Sequence, residues 1–228
     1  LGVADRVETS LSAAVRDADM VVLATPVGSM AGILGAIAPY LARDAVVTDV
    51  GSVKGAIAAA ARTALGEKLT GFVPGHPIAG TERTGVEASF SSLFVGRRVV
   101  LTPLPETSAE AVARVRAMWQ AAGAEVVSMS VEHHDAVLAA TSHLPHLLAY
   151  ALVDMLARLD DSREIFAYAA GGFRDFTRIA SSDPVMWRDV FLNNKEAVLE
   201  MLQRFSEDLT ALQRAIRYGK GDDLEALF

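Results

Sequence analysis

The rhythm of apolar positions changes near residue 129. Before it, short continuous apolar runs rich in β-branched residues, at 20–24, 45–50, 71–74, 98–102 and 125–129, predict strands, most of them buried on both faces. Between them, 30–41, 54–65 and 109–122 carry helix-like patterns. The last opens on Thr107-Ser108-Ala109-Glu110, a capping-box pattern, and closes at Gly123. Strand and helix alternating in this way predict a mainly parallel, doubly wound α/β sheet.

After residue 129 no stretch reads as a strand. Long periodic apolar segments at 131–159, 164–176 and 184–218 predict helices, and Asp183-Pro184 supplies an N-cap followed by a first-turn proline. The chain therefore divides into 1–129, an α/β unit, and 130–228, an all-helical one. Helices this apolar have few ways to bury their faces alone, which predicts helix-on-helix dimerisation, with a self-contained bundle as the alternative. The longest apolar stretch, 144–157, contains Pro145, His146 and Asp154 and is too short to span a bilayer, so no membrane partner is expected.

Composition narrows the function. The 228 residues are 51% hydrophobic and 21% charged, which excludes disorder as the main state. The formal net charge is -7. Residues 1–128 hold 12 acids and 11 bases, and 129–228 hold 16 and 10, so neither part has the basic surplus of a nucleic-acid binder. With no cysteine there is no thiolate nucleophile, thiolate metal site or disulfide, which fits a reducing, cytoplasmic setting. No Met precedes Leu1, and the opening reads as the tail of a helix entering a loop, so upstream residues are expected.

Three loops carry candidate chemistry in the first half. Ala24-Thr25-Pro26-Val27-Gly28 lies at the carboxyl end of a strand, where open α/β sheets place ligands; an ordinary strand-to-helix turn is the alternative. Thr48-Asp49-Val50-Gly51-Ser52-Val53-Lys54-Gly55 presents a hydroxyl, an amine and free amides at a helix start; Ser52 as a plain N-cap and Lys54 as a solvated charge are the alternatives. Gly75-His76-Pro77-Ile78-Ala79-Gly80-Thr81-Glu82 holds a histidine between glycines, suited to taking a proton from a hydroxyl near neutral pH.

Two clusters follow in the second half. Thr141-Ser142-His143-Leu144-Pro145-His146 sets proline within a helix, which should free the Thr141 carbonyl and bend the axis. No acidic or cysteine ligand accompanies its two histidines, so no metal is expected. Gly171-Gly172-Phe173-Arg174-Asp175-Phe176-Thr177-Arg178 places guanidiniums where a substrate carboxylate could be clamped, or where a helix end is salt-bridged. His133-His134 reads as a polar face near a helix start, with no role assigned.

Taken together, 49–55, 75–85, 142–146 and 171–188, the last including Ser181-Ser182-Asp183-Pro184-Val185-Met186-Trp187-Arg188, resemble the prephenate and arogenate (cyclohexadienyl) dehydrogenases of tyrosine biosynthesis. The resemblance covers essentially the whole chain, with four motifs in order. It implies an α/β fold: a Rossmann-like nucleotide-binding domain lacking its first strand and helix, then a helical substrate and dimerisation domain. It implies oxidative decarboxylation of prephenate or arogenate, with hydride passing to NAD or NADP, in a cytoplasmic homodimer. By that pattern His76 draws off the ring hydroxyl's proton and Ser52 orients it near the nicotinamide. Arg178 holds a carboxylate, Glu82, Thr81 and His146 line or gate the substrate pocket, and Asp175 positions basic groups. Thr25, Pro26, Val27, Gly51 and Ser52 face the cofactor.

The family's Gly-x-Gly-x-x-Gly loop does not occur here, so a natural protein longer at its N-terminus by roughly 50 residues is expected, somewhat more than one βαβ unit. Two other readings remain. Another nicotinamide-dependent hydroxyacid dehydrogenase would use a lysine of the helical half, Lys195 or Lys220. A non-catalytic binding or oligomerisation module would leave His76, Ser52 and Arg178 without purpose.

Overall fold

The computed structural model describes residues 4–80 and 85–227. Strands β1 (Met20–Leu23), β2 (Val46–Asp49), β3 (Phe72–Val73), β4 (Gly75–Pro77), β5 (Arg98–Leu101) and β6 (Glu125–Ser128) all fall in the first half. Each predicted run forms a strand to within one or two residues at either end. The pairings β1–β2, β2–β3 and β5–β6 are parallel, whereas β4 runs antiparallel to β5. Only Pro74 separates β3 from β4. Lacking an N–H, it cannot continue the ladder as a donor, but its carbonyl accepts from Thr102 N at 2.9 Å. The segment thus leaves β2 as partner, takes up β5, and joins two three-stranded ladders.

Alternate strand residues feed opposite faces. Val47 and Phe72 enter a core with α2 (Val27–Ile37) and α3 (Gly55–Leu65), while Val46 and Val73 enter a second core with α4 (Ala109–Ala121). A short α1 (Leu11–Val15) adds Val15 to the first. The N-cap of α4 is Ser108, which accepts from Ala111 N at 3.1 Å. Thr107, the capping residue that the capping-box pattern predicts, instead donates to the Phe72 carbonyl at 2.8 Å and accepts from Leu104 N. It anchors the approach to the helix rather than its first turn.

The second half is helical, as α5 (Val131–Leu138), α6 (Leu144–Ala157), α7 (Ser162–Ala167), α8 (Gly171–Thr177), α9 (Pro184–Asn193), α10 (Lys195–Arg217) and α11 (Gly221–Glu225). Three predicted helices are interrupted. A π-helical turn, Ala139–His143, separates α5 from α6 and sets Pro145 in the first turn of the latter. The segment 164–176 breaks before Gly171, and 184–218 breaks at Asn194. Asp183 caps α9, accepting from Val185 N at 2.8 Å.

The run Val131–Ala157 is longer than its apolar part, and by length and composition alone could cross a bilayer. It is seated otherwise. His134 and Asp135 are buried and bonded to the α/β half, and His143 is buried beside Asn194 and Trp187, an arrangement a lipid-facing helix would not permit. Val53, Trp187 and Val190, with Val27, Tyr150 and Phe191, form a small apolar cluster where the halves meet. Large apolar side chains remain exposed on the helical half, among them Leu159, Tyr168, Leu192, Leu199 and Ile216.

Candidate active site

Lys54 is fully buried at the start of α3. Its ammonium meets the Asp49 carboxylate and donates to the Gly75 carbonyl at 2.6 Å. Asp49 in turn accepts from Gly51 N at 2.8 Å and Gly75 N at 3.2 Å. One buried ion pair thereby ties the loop after β2 to the start of β4. Burial lowers the Lys54 pKa, against the opposing pull of Asp49. Gly75 packs closely there: a Cβ would lie 3.0 Å from the Asp49 carbonyl oxygen, tighter than an ordinary contact.

His76 follows on β4 and is 8% exposed. Its Nδ1 lies 2.9 Å from Nε2 of His134 on α5, and His134 Nδ1 lies 2.7 Å from Asp135 Oδ1. Asp135 also accepts from the backbone N–H groups of Lys54 at 2.9 Å and Gly55 at 2.8 Å. The helical half thus supplies a carboxylate to the N-terminus of α3, where free amides and the helix dipole favour one. Burial alone would raise the Asp135 pKa, but the His134 bond and the two amides outweigh it and leave the group lowered. The His76 pKa lies well below 6.5, through burial first and then the charges of Lys54, His134 and His143. His76 is therefore neutral at physiological pH.

Asn194, at the break between α9 and α10, donates through Nδ2 to the Asp135 carbonyl at 2.9 Å and lies 3.0 Å from His143 Nδ1. Burial lowers the His143 pKa to about 4, and its buried Nε2 has no partner among the described residues. His146 donates through Nδ1 to the Ser142 carbonyl at 2.8 Å and stacks on Trp187 with centroids 3.7 Å apart. Its Nε2 is left as an acceptor, and burial lowers its pKa as well. Tyr150 donates to the Ser182 carbonyl at 2.6 Å, fastening the loop before α9.

The remaining candidates are placed as follows. Thr25 is half-buried and its Oγ1 has no partner among the described residues. Pro26 precedes α2, its carbonyl accepting from Ser29 N and Oγ, and Val27 begins that helix. Ser52 is half-buried beside buried Gly51 and makes no hydrogen bond to His76 among the described residues; the ring is held by His134 instead. Asp175 and Arg178 are exposed, on α8 and the 3₁₀ turn Arg178–Ser181, both packed against α6, the helix that carries His146. Thr81 and Glu82 lie outside the described residues. No group of three acidic, histidine or cysteine side chains is placed to hold a metal among the described residues.

His134, which the sequence places on a polar face near a helix start with no role, is instead fully buried, and the sequence does not single out Asp135 or Asn194. One signal was available. His134 shares a helical face with Leu138, four residues on and buried, so its ring had to point inward.

A family model described as "Prephenate dehydrogenase, nucleotide-binding domain" matches residues 1–128, and one described as "Prephenate dehydrogenase, dimerization domain" matches residues 130–228. The chain belongs to the prephenate dehydrogenase family. A cyclohexadienyl dehydrogenase of Zymomonas mobilis is 42% identical over 226 residues, spanning 98% of this chain and 76% of that protein. The crystal structure of Aquifex aeolicus prephenate dehydrogenase in complex with hydroxyphenyl propionate and NAD+ superposes with a TM-score of 0.88 at 42% identity, over 96% of this chain and 77% of that one. The arogenate dehydrogenase of Synechocystis superposes at 0.80 with 31% identity, over 96% and 78%. These relatives bear the prephenate, arogenate and cyclohexadienyl names.

Proposed function

We propose that this chain is the catalytic body of a prephenate or arogenate dehydrogenase. It converts prephenate to 4-hydroxyphenylpyruvate, or arogenate to tyrosine, with loss of carbon dioxide and transfer of hydride to NAD or NADP. The observation that carries this reading is a buried histidine, neutral and held through Nδ1, at the carboxyl end of the sheet in a chain of this family.

The crevice suits a nicotinamide. Thr25 offers a buried hydroxyl without a partner among the described residues, α2 offers its first amides, and Ser52 offers backbone at the next strand end beside Gly51, whose N–H is held by Asp49. Thr25, Pro26, Val27, Gly51 and Ser52 are the residues that would hold it, and bound cofactor supplies the hydride acceptor. His76 takes the ring hydroxyl's proton as the C–H hydride leaves, so that this carbon becomes a carbonyl. Carbon dioxide then departs with the C–C bond electrons moving into the ring, and the resulting phenolate is reprotonated. Arg178 pairs with a substrate carboxylate, Asp175 positions the basic groups, and His146, Thr81 and Glu82 complete the substrate side.

The domains meet near residue 129, with 1–129 for the nucleotide and 130–228 for substrate and dimerisation. The exposed apolar side chains of the helical half support a homodimer. The working partner is a small molecule in the cytoplasm, with neither nucleic acid nor membrane. A lysine-based hydroxyacid dehydrogenase is disfavoured: Lys195 is exposed and Lys220 pairs with Asp223 on the surface, while the buried lysine, Lys54, belongs to the α/β half. Absorbance at the reduced-nicotinamide band, followed with prephenate and arogenate against NAD and NADP, tests the reading. Reduction with one substrate at least is expected, and a folded full-length protein active in no combination would overturn it.

A further inference from the structure

We propose that His134 and Asp135 are positioning residues that fix His76 in the tautomer bearing its proton on Nδ1, leaving Nε2 bare to act as the base. The catalytic purpose of this relay rests on the dehydrogenase reading above; the proton placement itself does not.

The assignment follows from which atoms can donate. Asp135 Oδ1 and Oδ2 both accept backbone N–H groups, from Lys54 and Gly55. As a carboxylate it has no proton to give, so the 2.7 Å contact requires a proton on His134 Nδ1. With its one proton placed on Nδ1, the His134 ring presents a lone pair at Nε2. The 2.9 Å contact from there to His76 Nδ1 requires the proton on His76 Nδ1. The lone pair of His76 is thereby left on Nε2, away from the relay. Free imidazole in a protein is under no such constraint, and the opposite tautomer would point an N–H at the substrate hydroxyl instead of an acceptor.

The groups around His76 act in the same direction. Lys54 at the start of α3 and His143 from the π turn disfavour positive charge on the ring, and Asp49 on β2 is occupied by Lys54. Asp135 on α5 acts on His76 only through His134. When His76 takes a proton, the imidazolium N–H still has its acceptor in His134, backed by the carboxylate. The relay also crosses between the halves, since His76 lies on β4 and His134 and Asp135 on α5. Docking of the helical half therefore sets the protonation geometry of the base.

The test uses the full-length protein labelled with ¹⁵N-histidine. The sequence has 5 histidines, and loss of signals in His76→Asn assigns that ring. Long-range ¹H–¹⁵N spectra at neutral pH should show His76 protonated on Nδ1. His134→Phe, which keeps a ring but offers no acceptor, should release His76 to the Nε2-protonated form and lower kcat by about 10²-fold or more, with KM within about threefold. His134→Gln offers an amide oxygen as acceptor and should restore the tautomer and most of kcat, which separates the relay from simple packing. An Nε2-protonated His76 in the unaltered protein, or His76 signals indifferent to His134→Phe, would overturn the proposal whatever the activity. The expected tautomer in a protein that reduces no nicotinamide would uphold the proton placement and count against the dehydrogenase reading.

Discussion

His76 Nδ1 and His134 Nε2 lie 2.9 Å apart although 58 residues of chain separate them. The contact joins the strand that carries the candidate base to the first helix of the other half, so neither half holds a complete site alone.

Replacing His76 with Asn should lower kcat by about 10²- to 10⁴-fold, the range for loss of a positioned general base, and change KM little. Arg178→Ala should do the reverse, raising KM about tenfold or more with a smaller change in kcat, because a carboxylate clamp acts in ground and transition states alike. Steady-state kinetics of both variants check the division. Equal losses in both parameters for both variants would contradict it.

The acid limb of activity should be displaced. His76 must be neutral to accept a proton, and burial, then Lys54, His134 and His143, hold its pKa well below 6.5. Activity should therefore persist as pH falls through 6.5 and disappear only well below it. A kcat/KM profile already half-lost at 6.5 would mean that the ring is not buried as described.

Stability should fall on the same side. His143 is held at about 4 by burial and His76 is also lowered, whereas both return to about 6.5 when unfolded. Between 6.5 and the folded values the unfolded chain binds more protons, so stability is present in full above 6.5 and is lost as pH drops. Each such histidine contributes a slope of about 1.4 kcal/mol per pH unit in that window. Urea unfolding from pH 7.5 to 5 should show it, with a shallower slope in His143→Gln. A flat profile would contradict the burial of these neutral rings.

Lys54→Met should destabilise by about 3–5 kcal/mol, because it leaves the Asp49 carboxylate buried beside a vacated partner. The loss should be read from urea unfolding at neutral pH. A change below about 1 kcal/mol would show that Asp49 has access to water or another cation.

The α/β order was legible because strands such as β5 hold uninterrupted apolar runs, Val99-Val100-Leu101 there, and the turns between elements carry glycine and proline. Reading His76 as the site's histidine needed only its glycine-flanked loop. What the sequence hid was partnership. Asn194 sits inside a helical periodicity, and nothing local shows that the helix breaks there to send an amide between Asp135 and His143. Thr107 satisfies a capping pattern, yet tertiary contact with Phe72 claims its hydroxyl and passes the cap to Ser108. Lys54 could equally have been a solvated charge at a helix start, and only the fold brings Asp49 and the Gly75 carbonyl around it.

The central claim, that His76 is the base of a cyclohexadienyl dehydrogenase, is tested most directly by one pair of rates. Full-length protein and its His76→Asn variant are given prephenate, then arogenate, with saturating NAD or NADP at neutral pH, and nicotinamide reduction is followed by absorbance. Rapid reduction by the unaltered protein with at least one pair is expected, with a rate at least about 10²-fold lower in the variant. Undiminished reduction by His76→Asn, or none by the folded unaltered protein, would contradict it.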